Sequence, residues 1–234
     1  MTDKGSLVVV GGTSEFGKRV GKYYADQGCK VYLTSREAGR ANEVAKEVGG
    51  DSTGLALDLT EPHSIADALA GVNDVQHLVI TSILRDNNMI TEYNIDTALK
   101  LVTMKMVGYT EVIHQLASRM RKDGSIVLYG GLAKDRPYPG SITVTTVNGG
   151  IMTMIRSLAL QLAPVRVNAI HPAIVGDSPF WANKPAEVLE AFRSRTPLGR
   201  LVEIDDVVHA TIFLLENKAI TGINLNVDGG WLTN

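Results

Sequence analysis

The chain has 234 residues and 44% hydrophobic content, enough for the core of one globular domain. Its formal net charge is -2, with both signs interspersed, so no nucleic acid is expected as a partner, because phosphate backbones are bound by clustered Lys and Arg. No stretch approaches the roughly 18 consecutive apolar residues of a membrane span, and no charged leader precedes a signal-length apolar run. With a single cysteine, Cys29, expected as a buried thiol, these features predict a cytoplasmic protein that engages no membrane.

In chain order, short β-branched runs alternate with longer segments of helical period. Strands are predicted at 7–11, 30–34, 54–57, 75–81, 125–129, 165–170 and 223–227, and helices at 16–27, 37–48, 62–70, 92–121, 141–162 and 203–215. This alternation predicts an α/β fold, a doubly wound parallel sheet of about seven strands with helices on both faces. Gly28 and Gly49-Gly50 follow the first two helices, where a left-handed cap suits residues without Cβ, and Pro62 opens the third. No linker or repeat interrupts the pattern, so residues 1–234 are read as one domain. The connection 171–199 carries four prolines and is too long for an ordinary loop, which predicts a substrate lid at 176–198. Within it, Ser178-Pro179-Phe180-Trp181 offers an aromatic pair that either covers an apolar substrate or plugs the core.

The first strand runs into Gly11-Gly12-Thr13-Ser14-Glu15-Phe16-Gly17 and then a helix. A glycine turn in that setting presents backbone N–H groups to a pyrophosphate, whereas a plain tight turn would use glycine for its backbone alone. The second strand ends Thr34-Ser35-Arg36. NAD-preferring folds put a carboxylate there for the ribose 2′-hydroxyl; an Arg instead pairs with a 2′-phosphate, so NADP(H) is expected over NAD(H), the alternative being a solvated arginine. Asp58, after the third strand, is placed either for the adenine amino group or as a cap-type aspartate.

These landmarks resemble the short-chain dehydrogenase/reductase family along nearly the whole chain. The turn at Gly11–Gly17 resembles its Thr-Gly-x-x-x-Gly-x-Gly, and Leu57-Asp58-Leu59 its adenine-side Asp-Val. Val165-Arg166-Val167-Asn168-Ala169-Ile170-His171-Pro172 resembles Arg-Val-Asn-x-x-x-Pro-Gly, while Thr196-Pro197-Leu198-Gly199-Arg200 and Val227-Asp228-Gly229-Gly230 match family motifs almost letter for letter. The resemblance implies a Rossmann-type domain and an oxidoreductase that moves hydride to or from a small carbonyl, alcohol or activated alkene. It also implies a cofactor site at Gly11, Thr13, Ser14, Glu15, Phe16, Gly17, Ser35, Arg36, Asp58, Leu59, Thr81, Ser82, Asn148, Pro172 and Val175.

The chain departs from the family where its chemistry is done. Alignment from the flanking motifs puts Gly131 at the family's Ser, Val144 at its Tyr, Asn148 at its Lys and Lys105 at its relay Asn, and no Tyr in the chain is followed four residues later by Lys. Glu15 replaces the middle glycine of the turn, so its carboxylate either repels phosphate or bonds a ribose hydroxyl; Ala173 stands for the Gly after Pro172, and Asp177 for a Thr. Three functions follow. One is an oxidoreductase with a non-standard proton donor, Lys105 or Tyr138. Another is a non-catalytic NADP(H)-binding sensor or partner subunit. The third is a lyase or isomerase using Thr143, Thr145, Asp177 and Ser178. No metal is expected. The resemblance and the surplus apolar residues Met152, Met154, Ile155 and Leu158 imply a homodimer or homotetramer.

Overall fold

All seven predicted strands assemble into one sheet ordered β3-β2-β1-β4-β5-β6-β7, in a computed structural model that describes residues 4–233. Residues 1–3 and Asn234, included in the domain by the sequence reading, lie outside the described residues. The strands are β1 (Ser6–Val10), β2 (Lys30–Ser35), β3 (Ser52–Ala56), β4 (Val75–Ile80), β5 (Met120–Tyr129), β6 (Arg166–Pro172) and β7 (Asn224–Val227). The helices are α1 (Glu15–Asp26), α2 (Ala38–Val48), α3 (Ile65–Ala68), α4 (Ile95–Val102), α5 (Tyr109–Ala117), α6 (Ile142–Gln161), α7 (Ala186–Arg193) and α8 (Ile204–Glu216). Every strand pair is parallel, so each link is a crossover and helices cover both faces. No helix among the described residues is long and apolar enough to cross a membrane.

Side-chain alternation along β1 divides the core into two layers. Val8 and Val10 pack with Leu101, Tyr109, Val112, Ile151 and Ile155 of α4, α5 and α6. Leu7 and Val9 face Val20, Val44, Val207 and Leu214 of α1, α2 and α8, as a period of two requires. Cys29 is a free, buried thiol in this second layer, as expected.

Two predicted elements need correction. The helix expected over 92–121 begins at Ile95 and ends at Ala117, and Met120 already pairs with Val75 in the sheet. The sequence puts no Gly or Pro at this stop; sheet pairing ends the helix, and Arg119 Nη1 secures the corner by donating to Leu69 O (2.6 Å) and Val72 O (2.9 Å). The helix is also interrupted by a π turn, Thr103–Gly108, a departure often found where a helix serves a site. A Cβ on Gly108 would stand 2.3 Å from Leu59 O, so only glycine lets this helix close on the loop after β3. The second correction is α7, a helix inside the connection read as irregular.

At the opposite end of the sheet from the strands' carboxyl termini, Arg166 caps α8: Nη1 donates to Leu214 O (2.8 Å) and Nη2 to Leu215 O (2.5 Å). Ser125 Oγ also donates to Leu215 O (3.0 Å) and meets His77 Nδ1 (2.9 Å). These carbonyls end a helix and have no donor within it. Arg166→Leu leaves Leu214 O without a donor while Leu215 O keeps Ser125 Oγ, and is expected to cost about 1–3 kcal/mol, read as a lower urea midpoint with the m-value unchanged.

Candidate cofactor and substrate site

The chain passes from β1 outward to β2 and β3, then returns across the sheet to β4. This reversal opens a crevice at the carboxyl ends of β1 and β4, where doubly wound sheets take their ligands. The glycine turn lies in it. Gly11 has φ +85°, and a Cβ there would stand 2.8 Å from both Thr81 Oγ1 and Ser82 Oγ. A Cβ on Gly17 would lie 2.6 Å from Gly11 O. Ser14 is the N-cap of α1: its Oγ accepts from Gly17 N–H (3.0 Å) and lies 2.8 Å from Gly11 O and 3.0 Å from Thr81 Oγ1. That hydroxyl is committed to the helix, so the donors left to face an anion are the opening amides of α1 at Glu15 and Phe16, aided by the helix dipole.

Other predicted cofactor residues gather around this turn. Thr13 is half-buried on it. Glu15 Oε1 lies 3.5 Å from Lys18 Nζ, which also reaches Glu47 Oε2 on α2 at 3.2 Å. The Glu47 hydrogen bond raises the Lys18 pKa, and Glu15 adds to it; the carboxylate is thus engaged along the helix. Ser35 closes β2, its Oγ accepting from Glu37 N–H at 3.4 Å, and Arg36 beyond it is exposed with no ion-pair partner among the described residues. Asp58 Oδ1 accepts from both the N–H and the hydroxyl of Thr60 (2.8 Å each), a turn role that leaves Oδ2 available. Leu59 is core, buried against α3 and α5, so only its backbone can meet a ligand. Ser82 O accepts from Tyr109 Oη (2.7 Å). Pro172 ends β6, and Val175 is buried and bridged to Val202.

Across the cleft, β5 leads into Gly130 and Gly131. His171, fully buried on β6, explains the first: a Cβ on Gly130 would come within 2.3 Å of His171 Nδ1. The ring accepts from Gly131 N–H at Nδ1 (3.1 Å) and meets Asn224 Oδ1 at Nε2 (2.8 Å), and Asn224 Nδ2 donates to Met152 O of α6 (3.1 Å). With Nδ1 accepting, the proton sits on Nε2. Asn148 fills the space beside Gly131, its Nδ2 standing 2.9 Å from where a Cβ would be. Val144 packs on the core layer of α5 and α6. Residue names alone offered no hint of His171's role, which needs the register of β5 against β6.

Lys105 lies inside the π turn and is only 4% exposed. Its Nζ donates to Tyr129 O (2.6 Å) and Tyr109 Oη (2.9 Å), and burial without a counter-ion pulls its pKa down to about 7. Tyr138 is 54% exposed on the loop before α6. Of the groups named for non-redox chemistry, Asp177 Oδ1 accepts from Ile204 N–H (2.9 Å), Ser178 Oγ donates to Val175 O (2.7 Å), and Thr145 Oγ1 meets Ser141 Oγ (3.0 Å). Thr143 Oγ1 is buried without a partner. Among the described residues no group of three His, Cys, Asp or Glu can hold a metal ion.

A doubly wound sheet whose switch point holds a glycine turn and a free helix N-terminus defines a dinucleotide-binding fold of the Rossmann class. The family model described as enoyl-(acyl carrier protein) reductase matches residues 11–232, and the chain belongs to the short-chain dehydrogenase/reductase family. It is 28% identical to a 2,5-dichloro-2,5-cyclohexadiene-1,4-diol dehydrogenase of Sphingobium indicum, over 96% of this chain and 94% of that one. Identity to the 3-oxoacyl-[acyl-carrier-protein] reductase of Bos taurus is 27%, over 95% of each. Among solved structures, a short-chain dehydrogenase/reductase from Brucella melitensis superposes with TM-score 0.89 at 19% identity, covering 97% of this chain and 96% of the other. A small-chain dehydrogenase in complex with NADPH superposes with TM-score 0.84 at 24% identity, covering 99% of this chain and all of the other.

The shifted pKa values set an expected pH dependence. Burial holds His77 and His171 down to about 4 from an ordinary 6.5, so the stability of their neutral rings is complete above 6.5 and lost as pH falls through about 4. Lys105 drops from 10.5 to about 7: between those values the unfolded chain holds the extra proton, and stability rises with pH. Thermal midpoints should climb through both windows, and Lys105→Met should flatten the upper one; an unchanged upper slope in that variant would show that Lys105 is not buried as an amine.

Proposed function

We propose that the chain binds NADP(H) and acts as an oxidoreductase on a small carbonyl, alcohol or activated alkene, using a proton donor other than the family's tyrosine. The observation that carries this reading is the intact anion cradle at the switch point, with a cationic Arg36 and no carboxylate at the end of β2. Gly11, Gly17, Thr13 and the Glu15 and Phe16 amides would hold the pyrophosphate, Ser35 and Arg36 the 2′-phosphate, and Asp58, Leu59, Thr81 and Ser82 the adenosine. Asn148, Pro172 and Val175 would border the nicotinamide end. Glycine at 11 and 17 lets the turn close, because a Cβ at either would collide with Thr81, Ser82 or Gly11 O and displace the amides of the cradle. Bound NADPH supplies hydride; the protein must orient the acceptor and protonate or stabilise the oxygen that gains charge.

Lys105 suits that second task, since an amine titrating near 7 exchanges a proton at neutral pH. Tyr138 offers an exposed hydroxyl on the same edge of the sheet. Segment 176–198 would act as the lid. A second reading, a non-catalytic NADP(H) sensor or partner subunit, draws support from Asn148 closing the space beside Gly131 and from the apolar packing of Val144. The lyase or isomerase reading is weakened by the structural engagement of Asp177, Ser178 and Thr145. In a cytoplasmic setting we expect a homodimer or homotetramer, because Ile95, Leu99, Val102 and Val107 on the α4–α5 helix and Leu160 on α6 stay exposed. Met154 and Leu158 are partly buried against the chain's own core, Ile155 is fully buried in it, and Met152 is partly buried.

Titration with NADPH and NADH, followed by a screen of activated ketones, quinones and enones, tests the proposal. Arg36→Ala should weaken NADPH roughly 10-fold or more while leaving NADH nearly unchanged, as expected for a lost charge-assisted contact. Lys105→Met and Tyr138→Phe should slow turnover without abolishing binding, and unchanged rates would remove both as donors. Tight NADPH binding with no turnover on any acceptor selects the sensor reading, and failure to bind either dinucleotide sinks both. Gly131→Ser combined with Val144→Tyr and Asn148→Lys should raise turnover by about 10² or more if the cofactor binds productively.

A further inference from the structure

The loops after β4 and β6 bring two cationic side chains together on one aromatic ring. Arg85, between β4 and α4, holds its guanidinium carbon 3.3 Å from the centroid of the Phe180 ring, and Lys184 places Nζ 4.4 Å from the same centroid. Cation–π attraction pins two flexible side chains from different loops to one ring. Neither side chain has an ion pair among the described residues. Their separation is no greater than the sum of those two distances, within a screening length of about 8 Å at physiological ionic strength, so they repel. Asp86, next to Arg85, forms no ion pair with it, and its Oδ2 is buried without a hydrogen-bond partner. Burial also lowers the Arg85 pKa, opposed by nearby Tyr138.

The surroundings are built rather than loose. Asn88 N–H donates to Gly140 O (2.7 Å) and its backbone bridges to Ser141, clamping the Arg85 loop onto the Tyr138 loop. From Phe180 an aromatic wall continues through Trp181 (5.3 Å), Phe192 (5.6 Å) and Trp231 (5.5 Å). Two exposed cations beside an apolar aromatic cluster leave positive charge that an anionic ligand can pair with. We infer that Arg85 and Lys184 form an anion subsite for the carboxylate or phosphate monoester of a small substrate whose apolar body packs against the Phe180–Trp181 pair. This deepens the proposed function, and only the word substrate rests on it.

Trp181 and Trp231 report on the wall, so tryptophan fluorescence of the full chain can be titrated with benzoate, phenyl phosphate and neutral benzamide. Saturable quenching by at least one anion, with benzamide about tenfold weaker or worse, is expected, and comparison of the two anions separates carboxylate from phosphate recognition. Arg85→Gln with Lys184→Gln should reduce anion affinity by about tenfold or more, while NADPH affinity and the unfolding midpoint hold. Equal binding of anions and benzamide, or an unaffected double variant, overturns the subsite. Loss of NADPH binding in the unmodified protein with anion binding retained would count against the proposed function alone.

Discussion

Where the chain leaves β1, Gly11 O sits 2.8 Å from Ser14 Oγ and 3.0 Å from Thr81 Oγ1, with the two hydroxyls 3.0 Å apart. Three elements meet at this carbonyl: the end of β1, the start of α1 and the end of β4. A side chain on Gly11 or Gly17 would force them apart. Because the N-cap hydroxyl is spent holding the junction, the opening amides of α1 are left pointing outward, and the anion cradle is a consequence of how the sheet reverses.

The opposite wall follows a different constraint, the volume of one imidazole. His171 is inserted beneath Gly130 and Gly131 and ties them through Asn224 to α6. That packing leaves no room for a side chain at 130, and Asn148 takes the room at 131. Residues 131, 148 and 171 are thus parts of one packing arrangement.

Electrostatics in the cleft are shaped by burial more than by ion pairs. Lys105 is held by a carbonyl and a phenol rather than a carboxylate, and Arg85 and Lys184 by a ring face. Cations treated this way keep their charge available, or keep their proton loosely. Two acidic groups of the cleft are engaged elsewhere, Asp177 with the Ile204 amide at the start of α8 and Glu15 with Lys18.

Strand count, parallel topology, the glycine turn and an arginine directly after β2 were legible in the sequence, because they depend on periodicity and on local residue identity. The end of the long helix at Ala117, the short helix α7 and the π turn around Lys105 were not, since sheet pairing and the approach to Leu59 decide them. Likewise, Phe180 reads in the sequence as half of an aromatic pair. Only the folded chain shows Arg85, 95 residues away in sequence, resting on its ring, because contacts between loops depend on the three-dimensional order of the strands that carry them.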